Sequence, residues 1–149
     1  MTHEEKALQA FTDGANCAQA VVIAYADALG IDEKTAARLG SSFGGGIGRL
    51  REVCGAVSGM MMVYGLLKGY DDLKDPAAKK AHYQNVQALA AQFREENGSI
   101  VCRELLDLRK NEKTDPTPTP RDANFFHSRS CAGFVQCAAR LLDEALKTE

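Results

Sequence analysis

Residues 75–98 read DPAAKKAHYQNVQALAAQFREENG, and this stretch decides the fold class. Asp75-Pro76 can open a helix, because the N–H that proline lacks has no intrahelical partner in a first turn. Tyr83, Val86, Leu89, Ala90 and Phe93 then recur at three- and four-residue spacing, the period of one helix face. Asn97-Gly98 ends the run. Outward from it the same period repeats. Upstream, Glu4 to Thr12 forms a short helix ending near Gly14. Asn16 is an N-cap signal, opening a helix with Val21, Val22, Tyr25, Ala28 and Leu29 on its apolar face and Gly30 at its end. Asp32 caps the next helix, with Ala36, Leu39 and Phe43 inward, and the run Phe43-Gly44-Gly45-Gly46-Ile47-Gly48 stops it. From about Glu52 to Lys68 a helix carries Gly55, Gly59 and Gly65, and close packing against another backbone accounts for glycines that otherwise cost helix stability.

Downstream, Ser99 caps a short helix holding Cys102, Leu105 and Leu106. Thr114 to Arg121, with prolines at 116, 118 and 120, must run extended over the surface. Ser128 or Ser130 caps a last helix striped by Phe134, Ala138, Leu141 and Ala145. Alternating β-branched runs do not occur, and no internal repeat or domain boundary is visible. The expectation is an all-α, single-domain helical bundle of about six or seven helices spanning residues 1–149.

Hydrophobic residues make up 45% and charged residues 26%, ordinary values for a globular chain. A net charge of −2 argues against nucleic acid as a partner. The longest apolar run, Val53 to Leu67, is broken by Gly55, Ser58, Gly59 and Gly65 and is too short to span a bilayer, so no membrane insertion is expected. The start, MTHEEKALQAF, lacks a basic-then-apolar signal, which points to a cytoplasmic protein whose thiols stay reduced. Five cysteines are too few for a disulfide scaffold and odd in number.

Four of the five fall where a helix begins: Cys17, Cys54, Cys102 and Cys131. Taken singly, each is better read as a small buried hydrophobe. A helix start, however, offers unpaired N–H groups and positive dipole, which favour thiolate and lower a cysteine pKa. Arg51, Arg103 and Arg129 lie within three residues of Cys54, Cys102 and Cys131, although that density is expected by chance. Cys137, beside Phe134 and Leu141, fits core packing. The chain has no C-x-x-C, C-x-x-C-H or H-E-x-x-H, so ribbon zinc sites, thioredoxin-type dithiols and haem attachment have no support. A site built from the four cysteines would be assembled by the fold, one residue per helix, and spacing alone leaves their convergence open.

The segment Cys54-Gly55-Ala56-Val57-Ser58-Gly59 reads CGAxxG. With Asn16-Cys17-Ala18-Gln19-Ala20 upstream, cysteines downstream and Phe43-Gly44-Gly45-Gly46 before it, the chain resembles the redox-active family named for its C…GCAxxG…C…C pattern. The resemblance runs from Phe11 to about Leu146. It implies a small helical protein with a redox role and four characteristic cysteines, at Cys17, Cys54, Cys102 and Cys131. Cys137 lies outside the pattern unless it exchanges roles with Cys131. Similar modules occur joined to haem or other redox segments, so the resemblance also implies iron–sulfur ligation as an option.

The Gly44–Gly48 loop lacks the Walker spacing and a preceding strand, so no nucleotide is expected. Gly45, Gly46 and Gly55 are read instead as cofactor-binding positions that bring backbone, with its N–H groups, close to Cys54. His127, four residues before Cys131, is a candidate fourth ligand, while His3 and His82 read as surface residues. Met60, Met61 and Met62 point around a helix and read as packing. Paired carboxylates and a Ser/His/Asp set are both missing, so hydrolysis has no support.

The leading expectation is a cysteine cluster that binds an iron–sulfur cluster or another thiophilic metal, for electron transfer or metal handling. Its partners would be a redox partner protein or a metal ion. The alternatives are metal-free dithiol/disulfide exchange, with Cys54 as attacking thiolate, and a non-catalytic helical interaction module. Whether the chain is an oxidoreductase or an electron carrier stays open. A homodimer is suggested only by helix faces rich in Ala and Gly.

Overall fold

The computed structural model describes residues 1–106, 114–128 and 130–147, the side chains of 126–128 excepted. The chain is all-α. Nine α-helices occur among the described residues, of which six have seven residues or more. They are α1 (His3–Thr12), α2 (Cys17–Ala24), α3 (Ala26–Leu29), α4 (Glu33–Gly40), α5 (Gly55–Lys68), α6 (Pro76–Asn97), α7 (Cys102–Leu105), α8 (Ala123–Ser128) and α9 (Cys131–Lys147). The surplus over the expected six or seven comes from two short pieces, α3 and α8.

Local capping chemistry sets most of the boundaries. Asn16 Oδ1 accepts from Gln19 N at 2.8 Å, and Gln19 Oε1 accepts from Asn16 N at 2.9 Å. This reciprocal box fixes the start of α2. Asp75 caps α6 through Ala78 N, Pro76 occupies its first turn, and Gly98 ends it in the left-handed region at φ 96°.

Helix α2 is central, packing on α1, α4, α5 and α9. Its apolar face buries Val21, Val22 and Tyr25 against Phe11, Met60, Val63, Tyr64, Val135 and Leu142. The expected long helix breaks at Tyr25, and Ala28 beyond the break is exposed. The Tyr25 hydroxyl donates to Ala139 O at 3.0 Å and Asp143 Oδ1 at 2.5 Å, joining α2 to α9.

Gly55 and Gly59 sit where α5 crosses α2. A Cβ on Gly59 would lie 2.9 Å from Ala18 O, and one on Gly55 would lie 3.0 Å from Ala18 N. The small residues therefore permit backbone contact, as expected. Gly65 differs, because a Cβ there meets nothing within 4 Å.

Other expectations are corrected. The apolar period places Leu39 inward, yet it is 46% exposed, and Tyr83 on α6 is 52% exposed. His3 is half-buried, stacks on Tyr25 at 3.9 Å and bonds to Asp143. His82 is half-buried and stacked on Tyr64. Met60 is fully buried, in keeping with packing. No helix among the described residues is long and apolar enough to cross a membrane.

Candidate functional site

Cys17, Cys102 and Cys131 are the first residues of α2, α7 and α9, and Cys54 is the N-cap of α5. Three backbone devices bring these starts together. The first is an isolated antiparallel bridge between Val53 and Val101. In it Cys54 N donates to Ile100 O at 2.8 Å and Cys102 N donates to Glu52 O at 2.6 Å. The bridge aligns Cys54 and Cys102 although 47 positions separate them in the chain. The second device is Gly55. A Cβ there would lie 2.9 Å from Phe43 O and 3.1 Å from Cys17 Cβ, so only glycine lets the start of α5 approach that of α2.

The third is the loop between α4 and α5, where six residues adopt positive φ: Gly45, Gly46, Ile47, Gly48, Arg49 and Arg51. Arg49 N donates to Gly44 O, Arg51 N to Gly45 O and Glu52 N to Gly46 O, so the loop coils left-handedly. A non-glycine residue in this region costs about 1–2 kcal/mol, and here Ile47, Arg49 and Arg51 all bear it. What the loop achieves is proximity. A Cβ on Gly46 would sit 2.8 Å from Cys102 Cβ, and Arg51, 3% exposed, turns its Nη1 to 3.7 Å from Cys102 Sγ. Arg103 clamps the loop by donating to Arg51 O at 3.1 Å and to Leu50 O at 3.2 Å.

All four cysteines line one cavity of about 380 Å³, together with Gly45, Gly46 and Gly55. Pro116, Pro118, Thr119 and Arg121 from the proline segment also line it. That segment is extended at the surface, as its prolines dictate, and it also walls the cavity. Arg49 ties it down through Asp115 O at 2.7 Å and Thr119 Oγ1 at 3.0 Å.

The sulfurs influence one another. Cys17 is hydrogen-bonded to Cys131, and this bond, followed by burial and the nearby sulfurs of Cys131, Cys54 and Cys102, holds its thiol well above the ordinary range. Burial pushes the Cys54 thiol up to about 12, against the opposing N–H groups of Ala56 and Val57. The expected lowering at helix starts is therefore overturned at these two residues. A helix end contributes a fraction of a charge, whereas burial and crowded sulfurs penalise the thiolate more. Among the described residues, no group of three or more His, Cys, Asp or Glu is arranged to hold a metal ion.

Residues 15–145 match the family model described as "Putative redox-active protein (C_GCAxxG_C_C)". The chain belongs to this family.

No curated protein and no solved structure matches the chain. The family name writes Gly-Cys-Ala, whereas this C_GCAxxG_C_C chain carries Cys54-Gly55-Ala56. The reversed order puts the sulfur at the N-cap and the glycine at the crossing with α2. Cys137 is buried and does not line the cavity. The side chain of His127 and all of Arg129 lie outside the described residues. Sequence reasoning missed the Val53–Val101 bridge, the cavity arginines Arg49 and Arg121, and the aromatic wall of Phe11 and Phe125. Only Arg51 carried a signal, its nearness to Cys54, and the structure turns it instead toward Cys102.

Proposed function

We propose that the chain is a thiol redox protein in which Cys17 and Cys131 cycle between dithiol and disulfide. The observation that carries this reading is the hydrogen bond between the two thiols inside the cavity. The bond to Cys131 holds the Cys17 thiol well above the ordinary range, so Cys17 keeps its proton in the pair and we assign the attack to Cys131. The Cys131 thiolate attacks a partner disulfide, forming a mixed disulfide and releasing one thiol. Cys17 then gives up its proton and attacks Cys131, releasing the second thiol. Two protein thiols are oxidised, and two electrons and two protons pass to the partner. Cys54 and Cys102, aligned by the bridge, supply a second pair of thiols on the same wall. A compartment that keeps thiols reduced would reset the cycle.

Iron–sulfur or other thiophilic ligation is the second reading, supported by the soft donor set of four sulfurs around one cavity. Cys17, Cys54, Cys102 and Cys131 would hold the group, and a cation would relieve the repulsion that now opposes Cys17 ionisation. Among the described residues, no three such side chains are placed to hold a single ion.

Redox titration of the chain under nitrogen, followed by peptide mapping, tests the first reading. A Cys17–Cys131 cross-link that forms and reverses with potential supports it, and its absence at every potential sinks it. Metal analysis and a visible spectrum of anaerobically purified protein decide the second, since a colourless metal-free protein removes it.

A further inference from the structure

We infer that Arg121 is a positioning residue for the Cys17–Cys131 pair. The inference rests on the thiol-exchange reading and names the side chain that sets how the two sulfurs meet. The cysteines reach the cavity along two separate limbs of the chain. Cys17 follows the tight corner between α1 and α2, whereas Cys131 follows α8. Arg121, half-buried at the end of the proline segment, lines the same cavity as both.

One guanidinium grips both limbs. On the first, its Nη1 donates to Phe11 O at 2.8 Å and its Nη2 to Ala15 O at 3.0 Å. Ala15 stands two residues before Cys17, and Asn16 between them is the N-cap that starts α2. Helix α1 has no basic residue in its last turn, so Arg121 brings from elsewhere the cation that a carbonyl end favours. On the second limb, Phe125 of α8 is 4.8 Å from the guanidinium carbon, measured to the ring centre, and Phe11 is 4.3 Å away. Both rings are buried, and their centres are 6.2 Å apart. Asp122, the next residue, accepts from Phe125 N at 3.0 Å, so Arg121 sits at the root of the helix that leads to Cys131.

These hydrogen bonds go to carbonyls rather than to sulfur. Arg121 therefore acts through the backbone that carries the cysteines. A disulfide demands a narrow range of Cβ separation and torsion, and a limb displaced by about 1 Å forfeits much of the pair's effective concentration. A planar fork on two carbonyls, held against two rings, fixes direction as well as distance. Lysine offers a single point charge and reproduces only part of that grip.

The test equilibrates the full-length chain in graded mercaptoethanol and bis(hydroxyethyl) disulfide buffers, with the Cys17–Cys131 cross-link quantified by peptide mapping. The reagent S–S bond breaks and the Cys17–Cys131 bond forms. Two electrons and two protons pass from the protein thiols to the two mercaptoethanol molecules released. Arg121→Met removes the fork and should lower the equilibrium constant for the cross-link about tenfold, which is about 30 mV for two electrons. Arg121→Lys should fall between Arg121→Met and the wild type. Tyr25→Phe removes bonds between α2 and α9 away from the cavity lining and should leave the constant unchanged, which separates position from stability.

An Arg121→Met chain that melts cooperatively and keeps the wild-type constant would overturn the positioning role and leave thiol exchange standing. An equal loss in Tyr25→Phe would overturn it too. Should Arg121→Met fail to fold, Arg121→Lys decides: a lowered constant supports the role, and a wild-type constant ends it. If the wild-type chain forms no Cys17–Cys131 cross-link at any buffer ratio, the thiol-exchange reading fails and this inference falls with it.

Discussion

Cys131 and Cys137 occupy one helix, α9, and both are buried, yet the two ends of that stretch offer their sulfurs different company. At the start of α9, Cys131 faces Cys17 and a cavity that Cys54 and Cys102 also line. Farther along, Cys137 accepts from Asn97 Nδ2 at 3.4 Å and from Arg140 at 3.7 Å, with Phe134, Ala138 and Leu141 buried nearby in the helix. Burial raises its pKa, while Asn97 lowers it. Burial and thiol chemistry are thus shared between the two positions. The difference is a second sulfur, which under the proposed exchange would make Cys131 half of a redox pair.

The sharpest way to break this comparison is to remove each sulfur. Cys131→Ser should abolish the Cys17–Cys131 cross-link, followed by peptide mapping across a redox titration, whereas Cys137→Ser should leave it intact. Equal losses would mean that the cavity is not the reactive region.

Next in size is the backbone contact that assembles the cavity. Gly55→Ala puts a methyl 2.9 Å from Phe43 O and 3.0 Å from Ala18 N, where backbone cannot yield easily. It should cost about 3 kcal/mol in urea unfolding. Gly65→Ala on the same helix meets open space and should instead stabilise by roughly 1 kcal/mol. Two losses of similar size would contradict the tight crossing of α2 and α5.

At the far end, Tyr25→Phe removes the hydroxyl that bonds Ala139 O and Asp143, leaving Asp143 its bond to His3, and should cost about 2 kcal/mol. Thiol reactivity should not change, because this link between α2 and α9 lies outside the cavity lining. A changed reactivity would show that the two ends are coupled.

The smallest effect is the alkaline one. A buried thiol raised to about 12 binds its proton more tightly folded than unfolded. Its contribution is therefore full below the unfolded cysteine value, near pH 8.5, and is lost as pH rises through that value toward 12. Thermal stability should fall across this window, and Cys54→Ala should flatten the fall. A stability that rose with pH there would require a depressed Cys54 pKa, opposite to what burial dictates.

Much of the helix inventory was legible because start and stop signals are local. Asp75, Pro76 and Gly98 bound α6 as read, and Asn16 and Asp32 cap α2 and α4. Which face a helix buries was less legible. Leu39 and Tyr83 continue apolar stripes yet stay exposed, because periodicity describes a face without saying whether a neighbour covers it. His3 shows the converse, since a polar first turn gives no hint that Tyr25 and Asp143 wait across the fold.

By itself the sequence determined that the chain is helical and that four cysteines stand at helix starts, because capping, glycine and three-four periodicity act within a few residues. Only the tertiary structure decided that those starts meet. Convergence depends on Val53 pairing with Val101, on Gly55 touching the first turn of α2 and on a left-handed loop lying against Cys102. These contacts join residues tens of positions apart, and each forms only after the chain has closed, so no local pattern can encode them. The same packing set the ionisation of the sulfurs, where burial and mutual repulsion outweigh the helix-end field that a single segment displays.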